Sequence, residues 1–191
     1  MPVHQHAGHR NLPGLFAGRS SRSYDRIARW VLPRAYRRLA RDAAALAPAG
    51  GDVLDIGTGP GILLRELGRQ RSDLRLTGLD LSPDMVAAAA RNLAEFGERA
   101  TAVVGDVTDL PFNDDSFDLI TTSLSLHHWD RVDAAAPELA RVLRPGGRVV
   151  VYDFPFAPFD ELAAGPLTDA PRSRIPTGIP FVSCERMVLT G

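Results

Sequence analysis

The chain contains no lysine and a single cysteine, and each shortage excludes something. Without lysine there is no tyrosine–lysine pair of the kind that nicotinamide-dependent oxidoreductases use. Cys184 alone cannot form an internal disulfide and has no second cysteine with which to hold a metal. In a late strand it reads as a small buried hydrophobe. No apolar run approaches the ~20 residues that a membrane span needs. The opening Met1-Pro2-Val3-His4-Gln5-His6 lacks the charged-then-apolar order of a signal peptide. The expectation is a soluble, cytoplasmic protein with no membrane partner. His4, His6 and His9 have no carboxylate cluster beside them, and no metal site is expected. Internal repeats and low-complexity linkers are also missing.

What is present fits one globular domain. A length of 191 residues allows a sizeable core but not two full-sized α/β domains. The contents of 45% hydrophobic and 24% charged residues are ordinary. A formal net charge of −1 hides an asymmetry: residues 1–47 hold nine arginines against Asp25 and Asp42, giving +7, and the remainder carries −8. Residues 1–23, with Gly8, Pro13, Gly14 and Gly18 among polar residues, read as a flexible basic arm. Residues 24–191 form the single domain, with a helical lid over 24–48, a core over 52–154 and a short C-terminal segment over 155–191.

Between 25 and 46, the residues Ile27, Trp30, Val31, Tyr36, Leu39, Ala43 and Leu46 recur at helical spacing with arginines between them. Pro33 and Pro48 punctuate the pattern, giving one or two helices that end before Gly50-Gly51. Val53, Leu54 and Ile56 make a short buried strand, glycines follow at 57, 59 and 61, and a helix is predicted over 63–68. A second strand over 74–79 ends in Asp80. Ser82 fits the N-cap and Pro83 the first position of a helix reaching Phe96, which Gly97 closes. A third strand over 100–104 ends in Gly105-Asp106, and a fourth spans 117–122. His127-His128-Trp129-Asp130 follow it, then a helix over 134–143 and a fifth strand over 148–154. Beyond this the chain is proline-rich: 159–165 allow barely two helical turns, and 181–189 alternate loosely as a strand. The pattern predicts an α/β fold, a doubly wound, mostly parallel, seven-stranded-type sheet with helices on both faces, Rossmann-like, with the completeness of its C-terminal strands left open.

In such a sheet, ligands bind outside the carboxyl ends of the strands, where strand order reverses. Those ends present 57–61, Asp80, Asp106, 123–129 and 153–156. The glycines permit positive φ and close backbone approach, and the helix behind them offers N–H groups suited to a carboxylate or phosphate. Asp80, 19 residues after Gly61, is placed to accept from both hydroxyls of a ribose. A pyrophosphate fingerprint, G-x-G-x-x-G, would need glycine at position 62, where this chain has Ile62. It has G-x-G-x-G instead.

At these residues the chain resembles the class I S-adenosylmethionine-dependent methyltransferases, over roughly residues 24–154. Val53-Leu54-Asp55-Ile56-Gly57-Thr58-Gly59-Pro60-Gly61 matches their first motif, Gly78-Leu79-Asp80-Leu81-Ser82 the second and Gly105-Asp106-Val107 the third. Phe117-Asp118-Leu119-Ile120 with Leu126-His127-His128 is similar to the fourth, and Arg141-Val142-Leu143-Arg144-Pro145-Gly146-Gly147 to the fifth. Among subfamilies the likeness is to small-molecule methyltransferases of the ubiquinone and menaquinone biosynthesis type. The resemblance implies S-adenosylmethionine as cofactor. Gly57, Thr58, Gly59 and Gly61 would lie along its methionine part, approached also by Ser123 and Leu124, with Tyr24 near the carboxylate. Asp80 would bind the ribose, Leu81 would pack on adenine, Asp106 would accept from the adenine amino group and Val107 would lie beside the ring. Asp55 would belong to the same set by ordering the loop.

Each role has a plainer competitor. Asp80 could cap the next helix, although Ser82 already suits that task; Asp106 could start a turn before Thr108. His127 and His128 are the candidate catalytic residues, since a histidine could remove an acceptor proton as the methyl moves. The competing role is packing or capping at the next helix. The expected partner is a small-molecule methyl acceptor, with a homodimer allowed. Nucleic acid is disfavoured, because Ser123-Leu124-Ser125-Leu126 lacks the Asn/Asp-Pro-Pro-aromatic signature of base methylation, although the basic arm keeps an acidic substrate in view. The alternative function is a cofactor-binding but non-catalytic accessory or regulatory protein of the same fold.

Overall fold

The computed structural model describes residues 21–169, 171–176 and 183–191, with side chains described over 34–168, 171–176 and 184–191. The basic arm proposed for 1–23 lies almost wholly outside these residues, as do His4, His6 and His9. Helix α1 (Ser21–Leu46) opens the described chain. It runs as one helix through Pro33, where the sequence allows either one helix or two. Its half from Ala35 is held by packing: Leu39, Ala40 and Ala43 are fully or almost fully buried against residues of the sheet and the next helix.

Eight strands form one sheet among the described residues. They are β1 (Asp52–Ile56), β2 (Arg75–Asp80), β3 (Ala100–Val104), β4 (Phe117–Ser123), β5 (Leu143–Asp153), β6 (Thr168–Asp169), β7 (Ser173–Pro176) and β8 (Ser183–Thr190). The order is β3-β2-β1-β4-β5-β8-β6, with β7 also on β8. The first five are parallel, and β8 runs antiparallel to β5. Helices α2 (Ile62–Gln70), α3 (Pro83–Leu93) and α4 (Val132–Val142) supply the β1–β2, β2–β3 and β4–β5 crossovers, and α5 (Phe159–Ala163) follows β5. The Rossmann-like expectation is met.

Alternation along the strands sorts the core into two layers. On β1, Leu54 and Ile56 join Leu139 and Phe159 on one side, whereas Val53 joins Leu39, Leu63 and Leu67 on the other. On β5, Val149 and Val151 face the first layer, and Val150 and Tyr152 the second. Strands buried on both faces carry apolar residues at odd and even positions alike.

Several boundaries differ from expectation. Helix α3 stops at Leu93 and tightens into a 3-10 segment, Ala94–Arg99, which is kinked at Gly97 by its φ 60 and ψ −141. Strand β5 begins at Leu143, and its turn 144–147 bulges out: Phe117 pairs Leu143, but Leu119 already pairs Arg148. The C-terminal end of the sheet is more complete than its proline content promises. β8 pairs β5 over six residues, from Arg148↔Thr190 to Asp153↔Glu185. The outer edge is divided between β6 and β7, whose registers on β8 differ by one residue.

The amino ends of the strands are tied together by charge. Arg144 donates to Asp52 at 2.8 Å and to Asp118 at 2.6 Å, and Arg75 clasps Asp52 at 2.5 and 2.8 Å. β1 leads on to β2 and β3 on one side, and the chain then returns to place β4 and β5 on the other. The reversal lies between β1 and β4, so the crevice at their carboxyl ends is the expected ligand position.

Candidate active site

The glycine spacing of the loop after β1 has a backbone cause. Gly57, Gly59 and Gly61 all lie in the left-handed region, at φ 64, 52 and 75. A β-carbon on Gly57 would sit 1.9 Å from Ser125 Oγ, so the segment after β4 rests directly on the loop. A β-carbon on Gly59 would meet nothing within 4 Å, which marks the open side. Thr58 N–H donates to Leu79 O at 3.0 Å, and Gly59 N–H donates to Asp80 Oδ2 at 2.8 Å, pinning the loop to the end of β2. Gly61 caps α2 with no side-chain acceptor, leaving the first N–H groups of that helix without a side-chain cap.

Asp80 therefore stands against the loop, where its place at the end of β2 put it. Its Oδ1 accepts from Ser82 N–H at 2.9 Å, while Ser82 itself caps α3 through Met85 N–H at 3.4 Å. The capping role weighed for Asp80 is thus filled by Ser82. Each carboxylate oxygen keeps lone pairs for a further donor. Leu81 beside it is 71% exposed, an unusual state for a leucine flanked by two ordered elements. Asp106 forms the competing turn: its Oδ1 accepts from Thr108 N–H at 2.9 Å and Thr108 Oγ1 at 2.8 Å, and these bonds hold its carboxyl below the usual range. No described residue bonds its Oδ2. Val107 is half-buried on the first core layer.

Beneath the loop, Asp55 is buried with Thr121 Oγ1 donating to its Oδ1 at 2.7 Å. Its Oδ2 and the buried Thr58 Oγ1 have no hydrogen-bond partner among the described residues. Burial pushes the Asp55 carboxyl up to about 7; Thr121 and the nearby Thr58 hydroxyl, which makes no bond of normal geometry, offset this only in part. Tyr36 of α1 reaches the same place. Its phenol lies by Ser123 and is raised by burial and then by Asp55. Tyr24 is on the same helix, but its side chain is outside the described residues.

At the end of β4, Ser123 is buried and Leu124 takes φ 53, a left-handed conformation that costs a leucine roughly 1–2 kcal/mol. Leu124 N–H donates to Tyr152 O at 2.8 Å, which turns the chain toward β5. The 3-10 turn Leu126–His128 follows. His127 Nδ1 lies 2.7 Å from Asp153 Oδ1, and His127 N–H donates to Asp153 Oδ2 at 3.2 Å. Its ring touches His128, Phe154 and Phe156, with centroids 3.9, 5.4 and 5.7 Å away. Burial, and then His127, lower the His128 imidazole. Phe154 and Phe156 stack at 5.4 Å, and Phe156 is 64% exposed.

The structure thus brings together Asp55, Thr58, the three glycines, Asp80, Ser123, Leu124 and His127, with Leu81, Asp106 and Val107 at the adjoining strand ends. Two residues absent from the sequence-derived set stand among them, Asp153 and Tyr36. Asp153 was recognisable as a strand-end carboxylate. Tyr36 gave no signal beyond helical spacing, which reads as core. Among the described residues, no group of three His, Cys, Asp or Glu side chains could hold a metal.

The donors here suit S-adenosylmethionine. Gly59 opens onto free space, a carboxylate stands at the end of β2, and Asp55 and Thr58 leave polar atoms unmatched beneath the loop. Comparison with known proteins agrees. The profile of the family described as "Methyltransferase domain" matches residues 54–151. A demethylmenaquinone methyltransferase of Roseiflexus castenholzii is 43% identical over 61% of this chain and 48% of its own length. A ubiquinone/menaquinone biosynthesis C-methyltransferase of Geotalea daltonii is 35% identical over 68% of this chain and 56% of its own. The chain therefore spans about half the length of these curated relatives. In fold, it superposes on a SAM-dependent methyltransferase from Aquifex aeolicus with a TM-score of 0.71, covering 86% of this chain and 96% of the other at 16% identity. The chain belongs to the class I S-adenosylmethionine-dependent methyltransferases.

Proposed function

We propose that the chain transfers a methyl group to a small, flat, largely apolar acceptor of the hydroquinone class. The observation that carries the cofactor half is the Gly59–Asp80 contact, which sets a strand-end carboxylate against an open glycine loop. Asp80 holds the ribose hydroxyls, and Leu81 and Val107 flank the adenine, with Asp106 Oδ2 facing its amino group. The loop 57–61 and the start of α2 receive the amino-acid end, with Ser123 and Leu124 along its other side. When bound, S-adenosylmethionine supplies an electrophilic methyl carbon on a positively charged sulfur, which keeps the electron pair of the broken bond. The protein supplies alignment and exclusion of water.

The acceptor half rests on the aromatic wall of His127, Phe154 and Phe156, together with the names carried by the relatives. A planar ring stacks on such a wall. In this reading His127 or His128 takes the acceptor's acidic proton. Any lid from the 24–48 segment is formed by its part before Ala35, because the rest is bound into the core. The test is methyl transfer from labelled S-adenosylmethionine to chemically reduced 1,4-naphthoquinone. A labelled, ring-methylated product is expected. Cofactor binding without transfer to this or any other hydroquinone would point instead to the non-catalytic accessory role.

A further inference from the structure

Asp153 closes β5 and is completely buried. Three donors converge on it: His127 N–H at 3.2 Å on Oδ2, and Phe154 N–H at 2.7 Å with the His127 ring at 2.7 Å on Oδ1. Its charge also weighs on its surroundings. Burial first and Asp153 next push the Cys184 thiol up to about 12, and Asp153 contributes to the raised Tyr36 phenol. A carboxylate only accepts hydrogen bonds, so the imidazole nitrogen facing it must carry a proton. In neutral imidazole the other nitrogen, Nε2, then has a free lone pair. No described residue bonds Nε2, and the side chain is 16% exposed, with the rings of Phe154 and Phe156 packed beside it. His128 has no such partner among the described residues, and its basicity is lowered.

We propose that Asp153 is a positioning residue which fixes His127 in the Nδ1–H form and aims Nε2 at the acceptor. This inference rests on the methyl-transfer reading above and assigns the base within it. The acceptor's O–H bond breaks, and its proton goes to Nε2. The electron pair stays on oxygen and, through the ring, feeds the carbon that is methylated; the hydrogen of that carbon then moves as a proton through solvent to the oxygen, which restores the aromatic ring. The imidazolium, stabilised by Asp153, then returns its proton to water. The site therefore selects acceptors with an ionisable hydroxyl on the flat ring rather than inert apolar rings.

Long-range 1H–15N spectra of the histidine side chains, with His127 assigned by its loss in His127→Gln, read the tautomer directly in the free protein. Neutral His127 with a protonated Nδ1 and a bare Nε2 is expected, and a bare Nδ1 would overturn the inference. In Asp153→Asn the Nε2–H form should grow. With S-adenosylmethionine and reduced 1,4-naphthoquinone, kcat should fall about 100-fold while KM for either substrate changes little. An unchanged kcat would overturn the positioning role. If Asp153→Asn does not fold, the wild-type spectrum decides alone. Failure of the wild-type chain to bind S-adenosylhomocysteine is a separate result that sinks the underlying methyl-transfer reading, and the spectra still decide the tautomer.

Discussion

Asp55 sits under the glycine loop with one oxygen satisfied and one not, and burial lifts its carboxyl to about 7. In the unfolded chain the same group titrates near 3.8. The folded chain therefore binds more protons than the unfolded chain between those values, and stability falls as pH rises through the window. Asp55→Asn keeps an acceptor for Thr121 and removes the charge. Thermal unfolding at pH 5 and pH 8 should show the wild type losing more stability than the variant, by about 2–3 kcal/mol; parallel losses would show that Asp55 does not titrate in this range. At this scale the sequence reveals position better than partnership. Asp80 and Asp106 are recognisable because each ends a strand, but the bond between His127 and Asp153 joins residues 26 apart and is visible only once β4 and β5 are neighbours.

Elements with local signals came out of the sequence cleanly. Ser82-Pro83 starts α3, and the left-handed φ values explain why the loop after β1 favours glycine at alternate positions. A denaturant titration can separate conformational cost from collision. Gly50→Ala, at φ 68 with nothing near its β-carbon, should lose roughly 1–2 kcal/mol. Gly57→Ala, at φ 64 with Ser125 Oγ only 1.9 Å from the added carbon, should lose about 1–3 kcal/mol more. It should also disturb the bond between Trp129 and Ser125. Equal losses would mean that the segment after β4 does not rest on the loop. Elements whose signals are tertiary came out poorly. The packing of α1 after Pro33 on α2 and the sheet has no local signal, and β6 and β7 are too short to show any alternation.

Over the whole molecule, charge is separated along the strands. Arginines close the amino ends through Asp52 and Asp118, while the carboxyl ends carry Asp80, Asp106 and Asp153. A parallel sheet was foreseeable from the alternation of strands and helices, and its strand order brings the ends of β1, β2 and β4 to one crevice. The acceptor is far less readable, because it is met by side chains from β4, β5 and the loops after them rather than by one continuous motif. The claim on which everything else depends is that this crevice holds the cofactor through Asp80 and the glycine loop. Calorimetric titration with S-adenosylhomocysteine tests it most directly. One site per chain is predicted, with affinity reduced at least about tenfold in Asp80→Ala while the circular dichroism spectrum is unchanged; equal affinity in a folded Asp80→Ala, or no binding by the wild type, would contradict it.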